Sequence, residues 1–137
     1  MNDFGVNKMV NVKMKAYKVS ELTFVNKHEN GAKLQFGNKI SYNVKYTNTN
    51  ICVGEITAEA FDKDNPEKFG VKIVINGIFE YDTSVKKETI HVDTFKELYP
   101  FAKSVVASMS VNAGVPPIIL PPFDIESQSI YKFEKNI

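Results

Sequence analysis

In the stretch FGVKIVINGIFEY, residues 69–81, the apolar side chains Phe69, Val71, Ile73, Ile75, Phe79 and Tyr81 fall on alternate positions. Successive side chains of a β-strand point to opposite faces, so period-two alternation is the mark of a strand with one buried face. Val74 and Ile78 put large aliphatics on the other face as well. A sheet covered on one side would leave those two in water, so the pattern predicts a sheet with something over its second side. Asn76-Gly77 reads as a bulge inside this strand.

Three further stretches carry the same signal. Val10, Val12, Met14, Ala16, Leu22 and Phe24 occupy even positions, while Tyr17 and Val19 break the parity, which predicts a bulge or bend near Lys18. Leu34 and Phe36 precede Gly37-Asn38, and Ile40, Tyr42, Val44 and Tyr46 then alternate with polar residues. Ile51, Val53 and Phe61 oppose Cys52, Ile56, Ala58 and Ala60 along a third strand. TNTN, 47–50, and DKDNPE, 62–67, are turn clusters between strands. Such short connections predict a four-stranded antiparallel meander.

The last third changes period. Phe101, Val105, Met109 and Asn112 lie near one helical stripe, widened by Leu98, Ala102 and Ser108. Small residues keep this helix slim enough to pack on two sides. Thr94 to Glu97 fits a capping box and Pro100 fits position N1, so a short turn from Thr94 and a main helix from about Tyr99 are expected. Gly114 is the expected C′ residue. VPPIILPPF follows, and then Asp124 as N-cap of a terminal helix to about Asn136. The diprolines cannot donate to any ladder. This strap is either a structural crossover or the wall of an apolar groove, where a stiff backbone presents aliphatic side chains at little ordering cost. The whole is an α+β domain spanning 1–137, with 1–9 expected to be flexible.

Composition narrows the function classes. The net charge is +1, which supplies no field to recruit nucleic acid or an anionic membrane. The single cysteine, Cys52, rules out an intrachain disulfide, and no apolar run approaches the roughly 20 residues of a membrane span. A cytoplasmic setting is expected, as MNDFGVNKMVNVKMK has no apolar signal region. No catalytic constellation stands out. His28 lies in a polar loop, and His91 with Asp93 lacks a nucleophile or metal partner, so His91 reads as a surface residue. Cys52 lies on a small-residue face and reads as an inert thiol. Asp62, Asp64 and Glu67 form a solvated turn, because Pro66 breaks any calcium-loop spacing. No catalytic residue, metal or cofactor is expected, and no enzyme activity.

LYPFAKSVVASMSVNAGVPPIILPPFDI resembles the end of SecB, the bacterial protein-export chaperone family. Tyr99-Pro100-Phe101-Ala102 resembles the opening of that family's long helix. Gly114, Pro116 to Leu120 and Pro122-Phe123 resemble its crossover into a second helix. AYKVSELTF resembles its first strand, and INGIFEY the end of its fourth. The resemblance covers roughly residues 10–135. It implies a sheet with two helices, assembling as a homotetramer (a dimer of dimers) with a dimer as the fallback. It also implies an ATP-independent holdase for unfolded, export-bound polypeptides.

On that basis Leu34, Phe36, Ile118, Leu120, Phe123, Ile125, Ile130 and Phe133 are the expected client groove. Val71, Ile73, Ile75, Phe101, Val105 and Met109 are the expected subunit interface. The family engages the export motor SecA through acidic residues on strands one and four and an acidic tail. Here Glu21 keeps one acid, but Lys72 stands at the strand-four position and the chain ends in YKFEKNI. Weak or absent SecA binding is therefore expected. The alternatives from other classes are a small ligand-binding protein or enzyme with the strap closing a pocket, and a subunit dedicated to one partner.

Overall fold

The computed structural model describes residues 11–127. Four strands form one antiparallel sheet: β1 (Val12–Asn26), β2 (Phe36–Asn48), β3 (Ile51–Asp62) and β4 (Phe69–Tyr81). A single long helix, α1 (Lys87–Asn112), lies across one face. The spatial order is β1-β4-β3-β2. The last three strands are successive hairpins, as short turns dictate, but the first is not the neighbour of the second. β1 pairs with β4, so the connection 27–35 crosses the end of the sheet. Periodicity identifies a strand but not its partner, which is why a full meander was expected and does not form.

Two irregularities in the β1–β4 register, at Lys15 and Ser20, explain the broken parity of β1. Cross-strand partners point to the same face. Met14 opposes Phe79, Tyr17 opposes Gly77, Val19 opposes Ile75 and Leu22 opposes Ile73, all on the helix side of β4. Each extra residue flips the parity once. The expected single bend near Lys18 is thus a pair of bulges flanking it, and every large apolar residue from Val12 to Phe24 reaches one face. No break in the β4 register falls at Asn76-Gly77.

The core lies between that face and α1. Cys52, Ile56 and Ala58 of β3 and Val71, Ile73, Ile75 and Phe79 of β4 are buried against Ile90, Phe95, Leu98, Ala102 and Val106. Gly54 leaves the space that the Tyr42 hydroxyl occupies, since a Cβ there would collide with it. That hydroxyl donates to Thr94 Oγ1, which in turn donates to the Ile90 carbonyl. Thr94 is therefore a buried mid-helix residue, not a cap. The helix starts at Lys87 and carries Pro100 in its interior. A proline there forfeits one helical hydrogen bond and costs about 3 kcal/mol in isolation. Packing of Phe95, Leu98 and Ala102 on either side of it offsets that cost, so propensity alone misplaced the start.

The second sheet face is not covered by another element of the described chain. Its aliphatics are interleaved with charge: Lys72 lies 3.8 Å from Glu21, Lys15 lies 3.7 Å from Glu80, and Lys39 sits over the Phe61 ring. Ile51, Val53 and Val74 are half-buried among these longer side chains, and only Val25 and Ile78 stand well exposed. Long charged stems shield apolar surface while their heads stay wet. No helix among the described residues is long and apolar enough to cross a membrane.

Candidate binding groove

Ala113 and Gly114 end α1, with Gly114 at φ 86°, a backbone conformation in which any side chain would be strained. The Val115 N–H closes back on the Ser110 carbonyl. From there the strap is pinned at two points. The Ile118 N–H donates to Ser110 Oγ at 3.1 Å, and the Tyr99 hydroxyl donates to the Pro121 carbonyl at 2.6 Å. Burial pushes the Tyr99 phenol up to about 12, so it stays a donor at any physiological pH. Asp124 caps the helical turn at 125–127, accepting from the Ser127 N–H, while the rest of the expected terminal helix, to about Asn136, lies outside the described residues.

Between those pins the side chains alternate in and out. Ile118, Leu120 and Ile125 are core residues, with Leu120 only 1% exposed. Ile118 and Leu120, expected to line the groove, do line the trough with little surface of their own, and Ile125, also expected there, is buried away from it. Ile119, between them, is 71% exposed and was overlooked. The alternation was legible in IIL, but nothing in the sequence says which set faces inward. Phe123 is half-buried against Phe95, with ring centroids 5.5 Å apart. Ile130 and Phe133 lie outside the described residues.

Opposite the strap, the 27–35 connection and the start of β2 form the second wall. The two walls enclose a trough of about 530 Å³ lined by Leu34, Phe36, Phe69, Pro116, Pro117 and Ile119. Leu34 and Phe36, both expected here, are present, and Phe36 is 48% exposed. Its ring meets Phe69 edge-on at 5.7 Å. The second wall is also pinned. His28 Nε2 lies 2.8 Å from the Asp62 carboxylate, which is itself buried at the end of β3. Burial pushes the Asp62 carboxyl up, but hydrogen bonds from His28 and from the Asp64 and Gln35 N–H groups outweigh it, leaving the group below its ordinary range. Asp62 is thus no solvated turn residue, and His28 no loose loop residue.

The remaining residues fall elsewhere. Val71, Ile73 and Ile75 sit beneath α1, at 3%, 0% and 0% exposure, and cannot be subunit contacts. Phe101 is exposed, Val105 and Met109 are half-buried, and the Phe101 ring packs against Tyr17 at a tilt with centroids 4.5 Å apart. His91 is buried beside Tyr42, not at the surface. Glu21 is exposed and paired with Lys72. Burial raises the Cys52 thiol to about 11, which leaves it protonated and unreactive. Among the described residues, no cluster of His, Cys, Asp and Glu is arranged to hold a metal ion.

No family model matches the chain. Among curated proteins it is similar to three described as protein-export protein SecB. The one from Chelativorans sp. (strain BNC1) is 28% identical over 72 residues, 50% of this chain and 42% of that protein. The one from Afipia carboxidovorans is 32% identical over 60 residues, 41% of this chain and 37% of that protein. The one from the Wolbachia of Brugia malayi is 33% identical over 84 residues, 53% of this chain and 49% of that protein. The matches therefore span less than half the length of each relative. Among solved structures, the SecB-like chaperone of Mycobacterium tuberculosis, in complex with a ChAD peptide from an antitoxin, superposes with a TM-score of 0.64 at 13% identity. That match covers 83% of this chain and 88% of the other, and shows a shared fold.

Proposed function

We propose that this chain, a SecB-family protein by sequence and by fold, is an ATP-independent holdase that captures unfolded polypeptide in the strap trough. The observation that carries this is the trough itself: two pinned walls present Ile119 and Phe36 to solvent from opposite sides of one apolar channel. A chain gains no stability of its own from exposing such side chains. Each large apolar side chain contributes roughly 1.5–3 kcal/mol on full burial, so a client covering four or five reaches about micromolar affinity after ordering costs. Sequence-tolerant apolar area suits many unrelated chains. The test is suppression of aggregation of a reduced, unfolding client protein without nucleotide. Absence of suppression, with a small molecule bound in the trough instead, favours a ligand-binding protein.

The cytoplasm is the compartment this reading implies, and a homotetramer, or a dimer, the assembly. Tyr17, Val19 and Leu22 of β1 stand exposed beside Phe101 on the helix side of the sheet. These β1 residues replace Val71, Ile73 and Ile75 as the proposed contacts, alongside Phe101, Val105 and Met109. Phe101→Asp is expected to lower the mass measured by light scattering while the thermal melt changes little. A monomeric wild-type chain at micromolar concentration would remove this part of the proposal.

A second reading, a chaperone dedicated to one partner and not coupled to SecA, is favoured by the Lys72–Glu21 pair at 3.8 Å. Lys72 occupies the only retained acid of the expected docking face. Charges of this kind act on encounter rate and on rejection of wrong partners. SecA is expected to bind weakly, with Lys72→Glu strengthening the interaction at low salt. Tight, salt-sensitive binding by the unaltered chain would overturn this.

A further inference from the structure

The chain holds two Asn-Gly pairs, Asn30-Gly31 and Asn76-Gly77, and the fold treats them oppositely. The backbone nitrogen after an asparagine attacks the asparagine side-chain carbonyl when that nitrogen is free and the backbone has room to close a ring. A following glycine favours the attack because it has no Cβ in the way. Asn76-Gly77 is locked against it. Gly77 is buried in β4, between Tyr17 of β1 and Gly54 of β3 in the two ladders. The Asn76 side-chain amide donates to Ser20 Oγ.

Asn30-Gly31 is the reverse on every count. Both residues are exposed, in the middle of a turn that the Ala32 N–H closes onto the Glu29 carbonyl. Gly31 has φ 84°, as the third position of such a turn demands, and a Cβ built on it would meet nothing within 4 Å. Among the described residues, neither the Gly31 N–H nor the Asn30 side chain has a hydrogen-bond partner. The turn is the tip of the second trough wall. His28 on Asp62 anchors it on one side, and the Gln35 carbonyl, accepting from the Lys63 N–H, on the other. Glu29, Asn30 and Gly31 all line the trough.

We propose that Asn30 is a self-modifying site that rewrites the charge of the trough wall: the Gly31 nitrogen attacks Asn30 Cγ, and the residue ends as aspartate or isoaspartate. A new N–Cγ bond forms as the Cγ–Nδ2 bond breaks, and Nδ2 leaves as ammonia with the proton from the Gly31 nitrogen. Water then opens the five-membered imide. Addition at Cγ gives aspartate, and addition at the backbone carbonyl gives isoaspartate, whose main chain runs through Cγ. Nothing is oxidised or reduced. Either product sets a carboxylate beside Glu29, and isoaspartate also lengthens the turn by one carbon. The chemistry is independent of the holdase reading, whereas its effect on clients rests on it. Charges at a rim act on encounter and on rejection of partners, so the modified trough turns away acidic segments and keeps basic ones.

Incubation of the full folded chain and peptide mapping read the site directly, through the amide-to-acid mass gain and the label that an isoaspartyl methyltransferase adds. Asn30 is expected to convert at least about tenfold faster than Asn76 in the folded chain, and at a similar rate in urea, where the protection of Asn76 by the fold is gone. Asn30→Gln, which would have to close a larger ring, is expected to stop conversion at this position. Asn30→Asp is expected to keep the melting temperature of the parent. It should bind an acidic unfolded peptide at least about threefold more weakly, while a basic peptide of the same apolar content binds at least as well. Equal rates at Asn30 and Asn76 in the folded chain, or conversion of Asn30 in urea only, overturn the site. Conversion with no difference between the two peptides overturns its role at the trough. A parent that binds neither peptide and suppresses no aggregation removes the holdase reading and that role together, and the conversion ratio still decides the site.

Discussion

Ile73→Asp abolishes cooperative folding. Ile73 is fully buried in the core between the sheet and α1, opposite Ala58 of β3 and Leu22 of β1. Burying an unpaired charge costs several kcal/mol even after the group neutralises itself, and a domain of this size has about 5–15 kcal/mol to lose. Ile78→Asp, one strand-turn away on the exposed face, is expected to cost under about 1 kcal/mol. Urea titrations of the two variants separate the cases. A folded Ile73→Asp chain that is merely smaller in assembly would mean that the β4 face contacts another subunit and not α1.

Ile119→Asp combined with Phe36→Asp lowers client affinity at least about tenfold, while the melting temperature stays within a few degrees of the parent. Ile119 stands largely in solvent and Phe36 about half so, so charge at these positions costs the fold little and costs an apolar client its contact. Leu120→Asp, the neighbour that alternation turns inward, behaves in the opposite way and unfolds the chain. Fluorescence anisotropy of a labelled unfolded client reads the first effect, and circular dichroism the second. If the double variant binds as before, the trough is not where the client lies.

What could be foreseen divides along a physical line. The existence of the strands, the helix ending at Gly114 and the cap at Asp124 depend on neighbours in sequence, and each was visible in alternation, in a positive-φ position or in a short polar side chain. Leu34 and Phe36 line the trough, but that expectation came from the family resemblance and not from a local pattern. The errors concern relations between distant segments. Whether β1 joins β2 or β4 is decided by which face it can bury, and periodicity is silent on that. Pro100 looked like a helix start because local propensity cannot register the Phe95, Leu98 and Ala102 packing that carries the helix through it. Val71, Ile73 and Ile75 looked like interface residues because a doubly apolar strand does not reveal which face belongs to its own helix. On the strap, Ile119 was overlooked because IIL has no internal marker of which side chain stands out into solvent.

The anchors on the two trough walls bear on timing. His28 fastens one wall to the end of β3, and the Tyr99 hydroxyl fastens the other to α1. The width between them is set when the sheet and helix fold, before any client is present, and nothing has to close over a bound chain. Selection then falls on the lifetime of the client's extended state. A polypeptide that collapses in microseconds is never long enough in reach, whereas one that folds over seconds meets the trough many times before it is lost. Two proteins with the same apolar sequence content would be retained to different degrees according to how slowly each one folds.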